Sequence, residues 1–482
     1  MDSAESTATC TGDRRRVLFF PLPYQGHINP MFQLAGLLHS HGFAVTVFHT
    51  HFNAPDASLH PDYDFVPVPD GGALPAADSP DDTVQATVEH IFALNRACEA
   101  PFQERLAAVL EDDPAGGVAV ACLVADAHLL TLLDVARGLG VPTLALRTGS
   151  AACFRCFTAF PMLCDKGYLP LPAQDTSQLD TPVIELPPYR VGDLPAASIP
   201  AAAHGRTREV LRRAVTAVAA SSGLILNTFD ALEHAELAAL RRDIAVPVFD
   251  VGPLHLLSPA PAATAASASS LLRPDRGCLD WLDAQAPASV LYVSFGSIAS
   301  VSAADLVEAA WGIAGSGRPF LWALRPGLVR GGAPPLPSQP PPLPKGFDAA
   351  TRGRGAVVAW APQEEVLAHD AVGALWTHCG WNSTLEAACA GVPMLCRPCF
   401  GDQRGNARYV DHVWRVGVEL DGGEIERGNV AAAIEMVMGA GEPGAGLRRR
   451  ALELKRRAAE SIDDGGSSAL NVNMLVNLIQ SL

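Results

Sequence analysis

Short runs rich in Val, Leu and Phe alternate along most of this chain with amphipathic helical patterns, and this alternation constrains the fold most. The first repeat is the run RVLFFPLP, a polar turn, the helical pattern PMFQLAGLLHSHG and a second run, AVTVFHT. There, Asn29 and Pro30 are predicted to begin the helix and Gly42 to end it. Apolar strands separated by helices are typical of parallel sheets that are covered on both faces. The sequence therefore predicts an α/β fold with doubly wound sheets.

The alternation breaks at residues 256–276, and this break predicts two domains. Those residues are dominated by Ala, Ser and Pro and show no period, which is typical of a linker. A chain of 482 residues also suits two domains, at roughly 100–200 residues each. We expect a first domain at 1–255, the linker at 256–276, a second domain at 277–460, and a terminal helix at 461–482 that packs back on the first domain. The two domains are expected to face each other across a cleft.

The charge balance of the chain argues against some partners. Asp and Glu total 51 against 35 for Lys and Arg, so the formal net charge is −16. Nucleic acids and anionic membranes call for basic surfaces, and neither is an expected partner. The chain has no apolar run of about 18 residues or more, so we expect no membrane span. The 11 cysteines are scattered, as in proteins with reduced thiols, so we expect a cytoplasmic protein. We also expect a monomer.

Candidate ligand-binding residues follow strands of the second domain, at the point where open α/β sheets bind their ligands. Gly296 and Ser297 follow the run SVLYVSF, and their backbone and hydroxyl groups can bind a phosphate. Trp360 and Gln363 follow the run AVVA, and a flat ring beside an amide can hold a uracil. Each also has a structural alternative, which is a simple turn for Ser297 and a core position for Trp360.

The stretch HCGWNSTLEAACAGVPML, which begins at His378, carries more hydrogen-bonding groups than the start of a helix needs. Free N–H groups and the positive dipole end of a helix attract anions, and Asn382 and Ser383 lie at such an end. Glu386 lies on the same helix face, where its carboxylate can accept hydrogen bonds from two ribose hydroxyls. The pattern favours a nucleotide diphosphate; a capped helix with a solvated Glu386 is the alternative.

Two titratable residues of the first domain also follow strands. His27 lies in the turn after RVLFFPLP, and Asp126 ends the run ACLVAD. Both come at carboxyl ends of strands in one parallel sheet, so contact between them is expected. Such a pair can act as a general base and its orienting carboxylate, whereas a lone loop histidine is usually only exposed. His128 and Arg147 flank the same position.

One pair of carboxylates has the spacing of a metal chelate. Asp62 and Asp64 flank Tyr63 in HPDYDFVPVP, between prolines and not after a buried strand. We interpret this segment as a surface loop and predict no metal site.

Residues 360–403, which begin WAPQEEVL and end CRPCFGDQ, resemble the signature box of plant secondary-product glycosyltransferases. The chain is thereby similar to the family 1 UDP-dependent glycosyltransferases along nearly its whole length. Two further segments resemble the branch of the family that includes benzoxazinoid, cytokinin and steviol-glycoside glucosyltransferases, namely THFNAPDASLHPDYDFVPVPD and LRTGSAACF. The resemblance implies the GT-B fold, in which two Rossmann-like domains face each other across a cleft.

The resemblance also implies roles for individual residues. His27 would be the catalytic base and Asp126 its orienting partner. Gln403 at the end of the box accompanies glucose donors more often than galactose donors in this family. The residues implied to bind the UDP-sugar are Ser297, Trp360, Ala361, Gln363, His378, Trp381, Asn382, Ser383, Glu386, Asp402, Gln403 and Thr148.

The activity implied is that of an inverting UDP-sugar glycosyltransferase with UDP-glucose as donor. Its product would be a β-glucoside of a small lipophilic plant metabolite of phenolic, benzoxazinoid, cytokinin or terpenoid type. UDP-glucose and the acceptor would be substrates, with no cofactor and no metal. A nucleotide-sugar epimerase on the same fold and a non-catalytic UDP-sugar sensor are the alternatives.

Overall fold

The computed structural model describes residues 15–73, 83–111, 118–171, 177–197, 204–259, 270–330, 340–420 and 425–482. Within these ranges the strands form two sheets, and all neighbouring strands are parallel. Much of the predicted linker at 256–276 lies outside the described residues.

The first sheet is built from residues before the predicted linker. Its strands are β1 (Arg16–Phe20), β2 (Ala44–His49), β3 (Tyr63–Pro67), β4 (Val120–Asp126), β5 (Thr143–Arg147), β6 (Leu224–Leu226) and β7 (Val248–Asp250). They lie in the order β3-β2-β1-β4-β5-β6-β7. The order of strands reverses between β1 and β4, so the connections after these two strands diverge and leave a crevice at their carboxyl ends. His27 follows β1 and Asp126 ends β4, which puts both residues at this crevice.

Helices cover the first sheet on both faces, as the alternation of the sequence predicts. They are α1 (Gln25–Ser40), α2 (Thr83–Glu111), α3 (Leu130–Gly138), α4 (Ala151–Thr158), α5 (Phe160–Asp165), α6 (His204–Ala219), α7 (Asp230–Asp243) and α8 (Leu254–Leu257). Short 3-10 turns lie at Ala57–Leu59 and Val191–Asp193.

The second sheet repeats the arrangement with six strands. They are β8 (Val290–Ser294), β9 (Phe320–Ala323), β10 (Gly355–Val358), β11 (Val372–Thr377), β12 (Met394–Cys396) and β13 (Gly417–Glu419). Their order is β10-β9-β8-β11-β12-β13, with the reversal between β8 and β11. Ser297 follows β8 and His378 follows β11, so a second crevice carries the predicted donor residues.

The helices of the second half are named in the same way. They are α9 (Gly277–Asp283), α10 (Ala303–Ser316), α11 (Phe347–Ala350), α12 (Gln363–Ala368), α13 (Trp381–Ala390), α14 (Gln403–Arg408), α15 (Arg427–Met438), α16 (Glu442–Ile462) and α17 (Ser467–Ser481). A π-helical turn at Tyr409–Val413 follows α14.

The last helix returns to the first sheet. Val472, Leu475 and Ile479 of α17 are buried in the same apolar cluster as Val17 of β1 and Val124 of β4. The preceding helix, α16, ends at Ile462, two residues beyond the expected end of the second domain. The chain therefore crosses between the two sheets a second time, between α16 and α17.

Helix α1 begins earlier than the sequence predicts. The structure starts it at Gln25 after Tyr24, so Asn29 is not its cap and Pro30 lies inside it. The carbonyl of Tyr24 accepts hydrogen bonds from the backbone N–H groups of His27 and Ile28, at 2.8 and 2.9 Å. His27 consequently belongs to the first turn of a helix and not to a loop. The predicted end is confirmed, because the helix stops at Ser40 and Gly42 adopts a φ of +91°.

The segment interpreted as a surface loop is partly a strand, so the prediction of a loop is wrong from Tyr63 onwards, whereas Asp62 and Asp64 are exposed at the surface as predicted. Tyr63 and Asp64 lie in β3, at the edge of the first sheet, where Tyr63 and Phe65 pack against the apolar cluster. Asp64 forms an ion pair with Arg16 of β1, with 3.1 Å between Oδ2 and Nη1. None of the helices in the described ranges is both long and apolar enough to cross a membrane.

Candidate active site

The carboxyl ends of both sheets border one cavity with a volume of about 370 Å³. The first domain contributes His27, His128, Arg147 and Thr148, and the second domain contributes the residues around α12, α13 and α14. Every residue predicted for the site lines this cavity except Asp126, which lies behind the cavity wall with no exposed surface.

His27 points from the first turn of α1 towards the end of β4. Its Nδ1 lies 2.6 Å from Oδ2 of Asp126. Burial alone would raise the pKa of Asp126, but the nearby His27 and hydrogen bonds from His128 and His27 hold that pKa well below its usual range. The carboxylate is therefore ionised at neutral pH, and it favours the tautomer of His27 with a proton on Nδ1. Nε2 then carries a free lone pair, and no described residue hydrogen-bonds to it.

A second imidazole shares the same carboxylate. Nδ1 of His128 lies 2.9 Å from Oδ1 of Asp126, which also accepts the backbone N–H of His128 at 2.9 Å. On the other side, Nη1 of Arg147 lies 2.9 Å from Nε2 of His128. Because a guanidinium only donates, Nε2 accepts and Nδ1 carries the proton. Burial, and then the charge of Arg147, lower the pKa of His128 to about 4, so this histidine is neutral.

Thr148 is placed beside the proposed base. Its hydroxyl oxygen lies 2.9 Å from Nδ1 of His27, and its side chain is buried. This contact helps to hold the imidazole against Asp126. The contact with a donor sugar that the resemblance implies for Thr148 stays a prediction.

The start of α13 uses none of its polar side chains as a cap. The residue before the helix is Gly380, and no side chain among the described residues bonds to the free backbone N–H groups of the first turn. Asn382 and Ser383 lie in that first turn and line the cavity. The free N–H groups and the dipole of α13 are therefore available to an anion in the cavity, as the sequence predicts.

His378 lies beside this helix start in a pocket that only glycine permits. A Cβ atom on Gly296, whose φ is +67°, would come 2.5 Å from the imidazole, and one on Gly380 would come equally close. Burial, and then the charge of Arg325, lower the pKa of His378 to about 4, so the ring is neutral without a ligand. The neutral ring can still act as an N–H donor.

Two residues of α13 bond across to the first domain. Nδ2 of Asn382 donates to the carbonyl oxygen of Gly26 at 3.0 Å, and the indole N–H of Trp381 donates to the carbonyl oxygen of Asn227 at 2.8 Å. The first of these bonds joins the predicted phosphate site to the residue before His27. The diphosphate and sugar contacts implied for these two side chains stay predictions.

Gln363 and Glu386, two of the residues predicted to hold the uridine, belong to one hydrogen-bonded group. Nε2 of Gln363 donates to Oε2 of Glu386 at 2.7 Å and to Oγ of Ser383 at 2.9 Å. The phenol of Tyr292 donates to Oε1 of Gln363 at 3.3 Å. Burial, and then the nearby charge of Glu364, raise the pKa of Glu386 above its usual range. The group orients Glu386 toward the cavity that it lines.

Asp402 and Gln403 lie at the start of α14, and Oδ2 of Asp402 would lie 3.5 Å from a Cβ atom on Gly149 of the first domain. Oε1 of Gln403 accepts the backbone N–H groups of Cys399 and Phe400, at 2.8 and 3.1 Å, which leaves its amide N–H groups for a ligand. Oδ2 of Asp402 accepts Nδ2 of Asn406 at 3.2 Å, and burial raises the pKa of Asp402. Sugar hydroxyls both donate and accept, so this pair suits them.

The sequence is similar to those of known proteins along nearly its whole length. The family model of UDP-glucoronosyl and UDP-glucosyl transferases matches residues 229–442. The DIMBOA UDP-glucosyltransferase BX8 of Zea mays is 49% identical over 480 residues, which cover 98% of this chain and 99% of that protein. UDP-glycosyltransferase 76B1 of Arabidopsis thaliana is 41% identical over 472 residues, covering 98% and 99%. The chain belongs to the UDP-glycosyltransferase family.

A solved structure supports the fold of this glycosyltransferase. Os79 from O. sativa, crystallised in complex with UDP, superposes with a TM-score of 0.77 at 28% identity, covering 96% of this chain and 100% of that one. The expected GT-B fold with two Rossmann-like domains is confirmed. The protein is a glycosyltransferase, and neither the epimerase nor the sensor alternative is favoured.

Two residues that contribute to the site of the glycosyltransferase, Asn406 and Tyr292, were not predicted from the sequence. Asn406 orients Asp402 and also donates to the carbonyl oxygen of Cys379 at 3.0 Å. Its position four residues after Asp402 on a helix is the signal that could have identified it. Tyr292 lies within the buried strand β8, and nothing in its sequence context indicated the hydrogen bond to Gln363.

One cluster of the described residues has the composition of a metal site. Ligand atoms of His27, Asp126 and His128 lie within 4.8 Å of one another. In this glycosyltransferase the three side chains already satisfy one another with hydrogen bonds between the two imidazoles and the carboxylate. The pair Asp62 and Asp64 is not part of any such cluster in the described ranges.

Proposed function

We propose that this glycosyltransferase transfers glucose from UDP-glucose to a hydroxyl group of a small, largely apolar plant metabolite, with inversion at the anomeric carbon. The observation that carries the proposal is the 2.6 Å contact between His27 and Asp126 at the edge of a cavity shared by both domains. The relative BX8 is a glucosyltransferase, and Gln403 at the end of the signature box favours the same donor.

The donor half is proposed to act through positioning and charge. Trp360 would stack on the uracil, and Glu386 would accept the ribose hydroxyls. The N–H groups at the start of α13 and the imidazole of His378 would bind the diphosphate and stabilise the charge that develops on departing UDP. With these groups in place we propose that no metal ion is required.

The acceptor half is proposed to supply the base. A hydroxyl group is a poor nucleophile at neutral pH, so its proton must leave as its oxygen attacks the anomeric carbon. Nε2 of His27 takes this proton, while the bond between the anomeric carbon and the phosphate oxygen of UDP breaks on the opposite face. Asp126 stabilises the imidazolium that results. An α-linked donor thus gives a β-glucoside.

The acceptor is proposed to be a hydroxylated heterocycle, phenolic or terpenoid. A benzoxazinoid is one member of this class, since BX8 is named as a DIMBOA glucosyltransferase. Apolar side chains line the acceptor half of the cavity, namely those of Leu22, Val88, Ile91, Phe157, Val210 and Leu211. A cytoplasmic monomer remains the expectation for the state of the protein.

The first experiment is an acceptor screen with labelled UDP-glucose in the presence of EDTA. We expect labelled β-glucosides of one or more members of the class, and slower transfer from UDP-galactose and UDP-xylose. A chain that bound no UDP, or that gave product only after a divalent cation was added back, would contradict the donor half of the proposal.

The second experiment substitutes the proposed base. His27→Ala is expected to reduce kcat by about 10²–10⁴-fold, which is the usual contribution of a general base, and to leave the Kd for UDP unchanged. His41→Ala, at the exposed end of the same helix, is the matched control and should behave as the wild type. Full turnover by His27→Ala would remove His27 from the mechanism.

A further inference from the structure

Arg147 places a positive charge in the wall of the acceptor half. It is the last residue of β5, its side chain lines the cavity, and only 3% of the residue is exposed. The next residue is Thr148, which touches the proposed base. The guanidinium is therefore both buried and close to the place where an acceptor hydroxyl must lie.

This charge has no carboxylate partner among the described residues. Its Nη1 bonds to the neutral ring of His128, and Arg147 forms none of the ion pairs found among the described residues. Asp402 lies on the same side, since its Oδ2 and Nη2 of Arg147 would lie 3.5 and 3.6 Å from a Cβ atom on Gly149, but that Oδ2 bonds to Asn406. Nε and Nη2 of Arg147 make no hydrogen bond with any described residue, and Nε is fully buried. Buried arginines are usually paired, so this one lacks a partner that its environment calls for.

The side chain is held in a fixed orientation. Its guanidinium carbon lies 4.6 Å from the ring centre of Phe157 and 5.5 Å from that of Phe154. His128 holds Nη1 and is itself anchored on Asp126 at 2.9 Å. A guanidinium that is stacked and held on one side presents its remaining N–H groups in a defined direction, which suits a planar anionic group.

We propose, on the basis of the function proposed above, that Arg147 is a specificity-determining residue that binds an acidic oxygen of the acceptor, such as a carboxylate or an ionised enol or phenol, carried on a flat apolar ring. The ring lies among Ile91, Cys153 and Phe157, and the anionic oxygen accepts a hydrogen bond from Nη2, the terminal nitrogen that bonds to no described residue. His128 positions Arg147 and couples it to the carboxylate that orients His27. Acceptors without such an oxygen leave the buried charge unpaired and bind more weakly.

The test compares two ligands of the same shape in the presence of saturating UDP. 2-Naphthoate carries a carboxylate and 2-naphthamide does not, and neither has a hydroxyl group to glycosylate, so binding is measured by calorimetry without turnover. The wild type is expected to bind the naphthoate about ten-fold or more tightly than the amide, since hydrogen bonds to charged groups are the stronger ones. Equal affinities in the wild type would overturn the proposal.

Variants assign the preference to Arg147. Arg147→Met keeps the length of the side chain and is expected to bind both ligands with similar affinity. Arg147→Lys keeps the charge without the fork and should retain part of the preference. Arg213→Met is the matched control, because Arg213 bonds to Thr131 outside the cavity lining, and it should keep the wild-type ratio.

Two further readouts separate the possible failures. The Kd for UDP and the melting temperature report whether Arg147→Met is folded. If it is not folded, the proposal is tested by the ratio of the affinities for naphthoate and naphthamide in the wild type and in Arg147→Lys. A naphthoate preference that survives in Arg147→Met would also overturn the proposal. The wild type could also transfer glucose to a neutral phenol and yet bind naphthoate no more tightly than the amide. That result would reject the recognition of an acidic oxygen by Arg147 and leave the proposed glucosyl transfer intact.

Discussion

Two carboxylates, Glu364 and Glu386, line the part of the cavity proposed to hold the uridine, and their titration has an expected functional consequence. Glu386 is buried and bonded to Gln363, while Glu364 accepts Nε2 of Gln33 at 3.1 Å. Burial raises the pKa of each, and the charge of Glu364 raises the pKa of Glu386 further. Like charges in a low-dielectric site disfavour double ionisation, so the pair titrates as a unit. A ribose hydroxyl bonds more strongly to the ionised form of Glu386 than to the protonated one.

The affinity for UDP-glucose is therefore expected to rise with pH across a window above the usual carboxyl range. The sign follows from the raised pKa of Glu386, because the carboxylate proposed to accept the ribose hydroxyls forms only as the pH passes that pKa. We expect a gain of about ten-fold between pH 5 and 9, as for a hydrogen bond to a charged group. UDP-glucose is the ligand of choice because its phosphates do not titrate there, and calorimetry measures Kd at each pH.

Two variants assign this pH dependence to the pair. Glu386→Gln should give a flat profile and an affinity about ten-fold below that of the wild type at pH 9. Glu364→Gln keeps an oxygen for Gln33 but removes the neighbouring charge, so the midpoint of the profile should move to lower pH. A slope that persists in Glu386→Gln would mean that another group titrates.

At the scale of the elements, the start of α1 shows how a distant contact overrides a local rule. Asn29 and Pro30 have the form of a cap and a first helical residue, yet the helix begins at Gln25. Pro30 has no N–H to give to the carbonyl oxygen of Gly26, four residues earlier, and that oxygen instead accepts Nδ2 of Asn382. The proline thus leaves an acceptor free for the second domain, one residue before the proposed base.

Pro30→Ala tests this arrangement. Alanine supplies an N–H that competes for the carbonyl oxygen of Gly26 and suits a helix interior better than proline does. We expect the melting temperature to stay level or rise while kcat falls by about two- to ten-fold, which corresponds to the loss of one hydrogen bond. Unfolding and steady-state measurements on one preparation separate the two effects, and an unchanged kcat would show that the bond to Asn382 does not position His27.

The resemblance to a known family was needed to predict site residues such as Thr148, Trp381 and Asp402. Residue types and spacing were sufficient to predict the alternating strands and helices, the two-domain fold and some of the residues that line the cavity. Each of these depends on patterns within one segment, as for His27 after β1 or Glu386 on the first turns of α13. The early start of α1, the edge strand containing Asp64 and the sharing of Asp126 between two histidines were not predictable in this way. They depend on which residue of a distant element comes within hydrogen-bonding distance. Local periodicity in the sequence does not predict such long-range contacts.

Across the whole molecule, buried polar bonds fix how the domains meet. The indole N–H of Trp414 donates to the carbonyl oxygen of Leu232 at 3.0 Å, and the phenol of Tyr409 lies 2.5 Å from Oε1 of Glu236. With the bond from Trp381 to Asn227, these contacts join the second domain to the segment of the first domain around α7. Buried donors that lost such partners would be costly, so the interface favours one relative placement of His27 and the donor residues.

Helix α17 ties the end of the chain to the first domain, and this gives a stability prediction at the scale of the molecule. Leu475 has no exposed surface and lies in the apolar cluster of the first sheet, whereas its neighbour Met474 is 58% exposed. Leu475→Ala is expected to lower the free energy of unfolding by about 2–5 kcal/mol, and Met474→Ala to change it by about 0.5 kcal/mol at most. Thermal and urea unfolding of both variants measure the difference, and the Kd for UDP should stay unchanged because the donor residues belong to the other domain. If the two variants were equally stable, α17 would not pack on the first sheet, and the second crossing of the chain between the domains would lose its support.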